Sequence, residues 1–388
     1  MSDHCELSVV MPCLNEADTL ATCIRKAQTG LKAAGVIGEI VVADNGSTDS
    51  SVQIAKQMGA RVVTVTEKGY GNALKGGIRA ARGKWIIMGD ADDSYDFSEI
   101  APFVQKLREG YQMVMGCRLP GGGGRIMPGA MPFSHRHLGN PMFTLMAQRM
   151  FSSPIHDIYC GLRGFSKDLY EHLDLRCQGM EFATEMIIKA SLNRAKITEV
   201  PITLHRDGRL AHAPHLKTVR DGWRTLRFFL VLSPRWLFMI PGLLLMFLGL
   251  AGYGLALPAV KLGRATFDAH TLLFSSLFIL LGYQSLLFAI FAKTFAINEG
   301  ILPEDPFLTR FYDVMDLERG LLIGAGALLV GLVLLAMAVE QWWAVHFGHL
   351  DYAHTMRWVV PGVTLTALGF QTILSSFFVS ILGMKKPR

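Results

Sequence analysis

Four acidic residues fall within seven positions in the stretch Asp90-Ala91-Asp92-Asp93-Ser94-Tyr95-Asp96, directly after the apolar run Trp85-Ile86-Ile87-Met88. That run reads as a buried strand, so the acids leave its C-terminal end, where ligands sit in an open α/β sheet. Carboxylates crowded together repel one another and lose solvation, which calls for a cation or a function. Asp90 and Asp92 have the D-x-D spacing that lets two side chains of one turn grip a divalent metal through oxygen. Taken alone, the same spacing also describes an acidic surface turn.

The elements around this turn set where it lies. A strand at 7–11 ends in Pro12-Cys13-Leu14-Asn15-Glu16 and is followed by a helix over 17–29. A second strand, 39–43, ends in Asp44-Asn45-Gly46-Ser47-Thr48-Asp49; Gly46 permits a tight turn, and Ser47, Thr48 or Asp49 can cap a helix starting near Ser50. A third, 61–65, precedes Glu67-Lys68-Gly69-Tyr70-Gly71-Asn72 and a small-residue helix through Ala81. This alternation predicts a mostly parallel sheet with helices on both faces. All four loops follow strands, so they gather along one sheet edge and share one site. Further on come a strand at 113–115, Arg118, and four glycines at 121–124, whose ordering cost predicts a mobile loop. A helix over 136–150, a strand or turn from the 157–165 segment, a helix at 184–193 and a strand at 197–200, stopped by Pro201, complete this part.

Composition divides the chain. It has 388 residues, 51% of them hydrophobic, and a mean hydropathy of +0.31. That is too apolar for one soluble domain and suits a soluble part, 1–215, joined to a membrane part, 235–388. Between them, over 216–234, Leu216, Val219, Trp223, Leu226 and Leu230 alternate with Lys217, Arg220, Arg224 and Arg227. This is a basic amphipathic helix suited to anionic headgroups, or else a surface helix packed on the sheet. Four apolar runs, about 236–257, 271–292, 321–339 and 359–382, are long enough for a hydrocarbon core of roughly 30 Å. Arg220, Arg224, Arg227 and Arg235 precede the first run, and Lys385, Lys386 and Arg388 follow the last. The positive-inside rule then places both termini and the soluble domain in the cytoplasm.

Near 303–317, Phe307, Leu308, Phe311, Tyr312 and Met315 share a face opposite Asp313 and Asp316, a second interfacial helix. No charged residue lies deep in a run, which favours an anchor over an ion or proton pathway; Gln284 and Gln371 read as interhelical hydrogen-bonding groups. The net charge of +6 sits largely beside the apolar runs, so it signals membrane orientation rather than nucleic-acid binding. Six cysteines without a C-x-x-C pair read as reduced, buried thiols, not a zinc site or disulfide framework. The N-terminus has no basic region ahead of an apolar core, so no signal peptide is expected.

The set Pro12…Asn15-Glu16, Asp44-Asn45-Gly46-Ser47-Thr48-Asp49, Lys68-Gly69-x-Gly71, Gly89-Asp90-Ala91-Asp92, Gly116-Cys117-Arg118 and Asp157…Cys160-Gly161-x-Arg163-Gly164-Phe165 resembles the inverting family-2 glycosyltransferases. Within them it is most similar to the polyprenyl-phosphate branch, the dolichyl-phosphate mannose and glucose synthases and their bacterial counterparts. The likeness covers about 7–232, with the motifs in the family's order. It implies a GT-A, Rossmann-like α/β catalytic domain ahead of an all-α membrane domain. It also implies transfer of a hexose from a UDP-glucose or GDP-mannose type donor to polyprenyl phosphate.

By this resemblance Asp90, Asp92 and Arg118 form the catalytic set. Asp92, helped by Asp90, holds the Mg²⁺ or Mn²⁺ that offsets the charge growing on the departing nucleoside diphosphate. Pro12, Asn15, Glu16 and Asp44 hold the nucleoside, Ser47 shapes the same pocket, Lys68 lies near the base or ribose, and Ala91 also lines the donor side. Arg206 and Lys217 clamp the donor diphosphate as the loop between them closes. Arg118 and Arg136 take the acceptor phosphate, with Asn140 where relatives carry a serine. Relatives often have glutamine at the position of Ser94, which leaves a third protein ligand open. A phosphate monoester, with a second pKa of about 6, is already nucleophilic and needs no general base.

Asp93 would matter as a base if the acceptor were a lipid hydroxyl; a non-catalytic membrane adaptor is the other alternative. Glu185 reads either as an acceptor-side residue or as a core cap, and His135, His137, His205, His212 and His215 lack metal-ligand spacing. No Q-x-x-R-W segment marks a processive polysaccharide synthase. The sequence sets neither the donor nucleotide nor the oligomeric state.

Overall fold

The computed structural model describes residues 5–209, 218–263 and 265–384. Its elements run β1 (Leu7–Cys13), α1 (Leu20–Ala33), β2 (Gly38–Asp44), α2 (Ser51–Gln57), β3 (Arg61–Thr64), α3 (Tyr70–Ala80), β4 (Trp85–Met88), α4 (Ala101–Arg108) and β5 (Met113–Cys117). Next come β6 (Arg125–Ile126), α5 (Asn140–Phe151), β7 (Arg163–Ser166), α6 (Lys167–Leu173), α7 (Glu181–Leu192), β8 (Ile197–Pro201), β9 (Thr203–Leu204) and α8 (Thr218–Val231). The chain divides into two units, Met1–Phe229 and Leu230–Arg388.

In the first unit a seven-stranded sheet has the order β3-β2-β1-β4-β7-β5-β8. Val9, Val10, Met11, Ile86, Ile87 and Met88 are wholly buried, so the two middle strands carry apolar residues toward both sheet faces. β1 pairs in parallel with β2, Cys13 level with Asp44, and with β4, Val10 level with Met88. That register brings Asn15, Asp44 and the acidic turn out of the sheet at one edge. β7 is the exception to the parallel rule: it runs antiparallel to both β4 and β5. The 157–165 segment thus resolves into a turn followed by a reversed strand.

The glycine run differs from expectation. Pro120–Gly122 is a 3₁₀ turn and β6 after it pairs with β9. A Cβ on Gly124 would lie 2.6 Å from the Arg118 carbonyl carbon, so this glycine permits close backbone approach in a packed turn. The helix expected from Arg136 starts as a π-helical turn, His135–Gly139, continued by α5. α8 keeps one side against α5, where Phe229 meets Phe143 and Phe151 edge-on at 6.0 and 5.4 Å. Trp223 and Val231 are exposed.

The second unit contains α9 (Ile240–Ala256), α10 (Ala269–Asn298), α11 (Pro306–Val314), α12 (Leu317–Ala344) and α13 (Tyr352–Gly383). Four helices, Arg235–Ala256, Ala269–Asn298, Leu317–Ala344 and Tyr352–Gly383, are long and apolar enough to cross a membrane. The first matches its apolar run in length, and the last three exceed theirs because they take in flanking polar residues such as Lys293, Arg319 and Arg357. Arg357 pairs with Asp268 at 3.1 Å, and Lys293 pairs with Asp305. Glycines bring α12 and α13 together: a Cβ on Gly369 would lie 2.6 Å from Gly324 O, and one on Gly331 would lie 2.8 Å from Gly362 O.

Polar links between these helices run through hydroxyls, Tyr253 to Thr364 at 2.8 Å and Tyr283 to Thr372 at 2.6 Å. The interhelical bond expected of Gln371 is not seen, since its buried Oε1 has no hydrogen-bond partner among the described residues. The stretch expected to form a second interfacial helix is helical as α11, with Leu308 buried and Phe307 exposed.

Candidate active site

The first two loops are joined by hydrogen bonds from residues singled out in the sequence. The Asp44 carboxylate accepts from Gly46 N and Ser47 N at 3.2 and 3.1 Å. Ser47 Oγ in turn accepts from Asn15 N at 3.0 Å, and Asn15 Oδ1 accepts from Thr48 N at 2.8 Å. Asn15 has φ 60°, a left-handed conformation that asparagine tolerates, and this reversal brings the chain to Glu16. Glu16 N donates to Ser51 Oγ at 2.8 Å.

Asn45, not assigned a role from the sequence, ties in the third loop. Its Nδ2 donates to Val65 O and Glu67 O, and its Oδ1 accepts from Gly69 N. Lys68 reaches Asn45 O at 2.7 Å and therefore stands at the same edge. Pro12 is in β1 opposite Ala43, and Ala91 is buried with its carbonyl accepting from Thr19 Oγ1 at 2.6 Å.

At the acidic turn, Tyr70 donates its hydroxyl to Asp90 Oδ1 at 2.9 Å. The other Asp90 oxygen lies over Gly161, whose N–H donates to the buried Tyr95 hydroxyl. Burial first, and the neighbouring Asp92 charge second, push the Asp90 carboxyl up to about 6. Asp92 Oδ1 accepts from both Ser94 N and Ser94 Oγ, at 3.1 and 2.6 Å. Ser94 therefore orients Asp92.

Asp92 Oδ2 faces Arg209 Nη1 at 3.3 Å. Arg209 also donates to Glu16 from Nε and Nη2, at 2.8 and 2.6 Å, and to Asp207 at 2.9 Å. Burial works against its charge, but Glu16, Asp92 and Asp207 together hold it more firmly protonated than an ordinary arginine. Sequence reasoning named Arg206 for this neighbourhood. The structure instead turns Arg206 Nε to Pro128 O at 2.6 Å and sends Arg209 to the acids. Lys217, with His212 and His215, lies outside the described residues.

On the other side of β4 the expectations change more. Arg118 donates Nε and Nη2 to Asp157 at 2.7 and 2.8 Å, and its backbone N–H meets the same carboxylate at 3.0 Å. Only 7% of Arg118 is exposed, so the guanidinium expected to take a phosphate is engaged in a buried pair. Asn140 is buried as well, and its Nδ2 faces Met131 Sδ at 3.4 Å. Arg136 remains at the surface and lines a cavity of about 290 Å³ with Leu119, Pro141, Leu145 and His156.

Asp93, in a left-handed conformation at φ 63°, pairs with Lys26 of α1 at 2.8 Å. Glu185 takes the core-cap reading: it is buried, accepts from Arg176 N and Cys177 N, and pairs with Lys189. Arg163, fully buried, donates to the carbonyls of Cys160, Ala183 and Ile158 and fixes the turn before β7.

Whether these residues suit a divalent cation can be judged from their chemistry. Among the described residues no three His, Cys, Asp or Glu side chains converge as a ready ligand set. Two carboxylates on one turn fit Mg²⁺ or Mn²⁺, ions that take one or two carboxylates and complete their shell with water and substrate phosphate. The guanidinium on Asp92 and Glu16 shows that this spot favours positive charge.

A mostly parallel sheet presenting a D-x-D turn beside an Asp44 pocket, followed by four membrane-length helices, defines a GT-A, Rossmann-like catalytic domain with a helical membrane region. Residues 8–174 match the family described as glycosyl transferase family 2, and 290–383 match the glycosyltransferase family 2 C-terminal transmembrane region. The chain is 39% identical over 379 residues to a low-salt glycan biosynthesis hexosyltransferase, Agl6, of Haloferax volcanii, covering 97% of this chain and 89% of that one. It is 27% identical over 197 residues to a dolichyl-phosphate hexose transferase of the same organism, covering 51% and 82%. An undecaprenyl-phosphate 4-deoxy-4-formamido-L-arabinose transferase of Salmonella paratyphi B is 27% identical over 204 residues, covering 51% and 59%. The chain belongs to glycosyltransferase family 2, as a membrane enzyme related to the polyprenyl-phosphate sugar transferases.

Proposed function

We propose that this enzyme transfers a hexose, with inversion, from a nucleotide sugar to a polyprenyl phosphate. The reading is carried by the acidic turn, where Asp92, two residues from Asp90, shares the Arg209 guanidinium with Glu16. Asp44, Ser47, Asn15, Glu16 and Pro12 shape the nucleoside side, and Lys68 guards its far edge. Asp90 and Asp92 would hold Mg²⁺ or Mn²⁺, which supplies positive charge to the departing diphosphate. Arg209 gives up Asp92 when the donor enters and becomes free to pair with diphosphate oxygens.

The acceptor phosphate oxygen attacks the anomeric carbon from the face opposite the leaving group. The anomeric C–O bond breaks, and the nucleoside diphosphate departs with the electron pair. A dianionic phosphate needs positioning rather than deprotonation, and Arg136, half-buried beside its cavity, is the cation for it. Arg118 acts through Asp157, holding the two turns that frame this side. Asp93 is occupied by Lys26, which disfavours a hydroxyl acceptor that would require it as base. The basic residues before the first membrane-length helix support a cytoplasmic catalytic domain.

The test is to incubate the purified full chain with Mg²⁺ or Mn²⁺, polyprenyl phosphate and a panel of labelled nucleotide sugars. One donor should yield nucleoside diphosphate and an acid-labile lipid-linked sugar, and Asp92→Ala should abolish both. Absence of nucleoside diphosphate with every common donor would refute the reading.

A further inference from the structure

Within residues 5–209 the exposed large apolar side chains outside one segment are isolated: Leu14, Ile37 and Met180. The exception is the approach to α5 and its first two turns. There Phe133 is 79% exposed, Leu138 67%, Met142 44% and Leu145 49%. Leu138, Met142 and Leu145 recur at helical spacing on the outward side, while Phe143, Ala147 and Phe151 face inward. A cluster of this kind marks an interaction surface.

Its charge indicates the partner. From residue 110 to residue 156 the chain contains no acidic residue, while Arg136 and Arg149 border the exposed row. His135 and His137 flank Arg136, and the His137 ring lies tilted against Phe133 with centroids 4.4 Å apart. Apolar side chains rimmed by basic ones, with no carboxylate in the segment itself and Glu199 beside it paired to His156 at 2.7 Å, suit an anionic bilayer surface. The order of the chain agrees. The inner side of α5 is packed by Phe229 of α8, and the chain leaving α8 enters the first membrane-length helix at Arg235.

We propose that the catalytic domain carries its own membrane contact, in which Phe133, Leu138, Met142 and Leu145 enter the headgroup layer of an anionic bilayer. The cavity lined by Arg136, Pro141, Leu145 and His156 then opens at the lipid surface. A headgroup can reach Arg136 there without leaving the membrane. The contact depends on the chain being a membrane protein, not on which sugar it transfers, so its failure and that of the proposed reaction are separable.

The experiment places a spin label at Leu138→Cys or Met142→Cys in the full chain, with Cys5 and Cys177 replaced by serine, in phosphatidylcholine–phosphatidylglycerol vesicles. Reference labels go at Lys32→Cys, an exposed position of α1, and at Leu329→Cys, an outward position of α12. Collisions with oxygen should exceed those with a water-soluble nickel chelate at 138 and 142, as at 329, and the order should reverse at 32. An aqueous pattern at 138 and 142 would overturn the proposal. So would shielding from both reagents, which would indicate a protein partner or a second copy.

Discussion

Gly161→Ala places one methyl group where the acidic turn leaves no room for it. A Cβ there would lie 2.8 Å from Asp90 Oδ2 and 3.1 Å from the Tyr95 ring and hydroxyl, against 3.4 Å for ordinary contact. The backbone accepts alanine, because Gly161 is not among the residues with positive φ. Tyr95 cannot yield easily: it is 3% exposed, and its hydroxyl accepts from Gly161 N at 2.8 Å. Asp90 must therefore move, by roughly half an ångström. A full ångström of misplacement costs about 100-fold in rate, so half implies about tenfold, or roughly 1.4 kcal/mol. The assay is sugar transfer at saturating acceptor, with the Mn²⁺ concentration for half-maximal rate and the melting temperature measured alongside. Transfer should fall about tenfold and the metal requirement rise, with a modest loss of stability. A variant that transfers at the wild-type rate and the same Mn²⁺ concentration would show that Asp90 is not held at the reacting centre.

Arg209→Gln removes the cation shared by Glu16 and Asp92, so Mn²⁺ should bind severalfold tighter in the absence of nucleotide, as read by electron paramagnetic resonance; unchanged affinity would mean the guanidinium does not compete. Asp157→Ala leaves Arg118 buried without its partner and should cost about 3–5 kcal/mol, seen as a lowered melting temperature; a smaller loss would show that the arginine finds water. Burial pushes the Cys23, Cys117 and Cys160 thiols up to about 12 and the Cys13 thiol to about 11. A raised thiol titrates to the reactive thiolate only as the pH approaches that value, so these four should resist iodoacetamide at pH about 8, where an unperturbed thiol is substantially ionised. Mass spectrometry of the native and unfolded protein after brief exposure checks this, and rapid native labelling would contradict it.

The sheet edge and its loops were legible because strand–helix alternation dictates on which side each loop emerges. Asp44, Ser47, Asn15, Asp90 and Asp92 come together as that rule requires. The membrane-length helices were equally plain from their apolar length, though polar extensions such as Arg357 lengthen three of them beyond the runs. Pairings between distant loops were not legible. Arg118 and Asp157 both stood among the quoted motifs, but nothing in their spacing says that each occupies the other. Arg206 and Arg209 lie three residues apart, and only the turn held by Gly208 N on Asp92 O decides which one meets the acids. β7 was ambiguous because Arg163-Gly164-Phe165-Ser166 is short and contains a glycine, so neither its state nor its direction followed from periodicity.

The contact between α12 and α13 has a consequence for how that hairpin assembles. Gly324 faces Gly369, and Gly331 faces Gly362, so the two helices touch main chain to main chain at points seven residues apart on each. Two such points fix both sliding and rotation. Displacing one helix by a residue would drive a side chain into the gap at both points, and no compensating adjustment serves the two at once. The hairpin thus selects its alignment by excluding alternatives, and its outward-facing residues remain free to suit whatever lipid surrounds them.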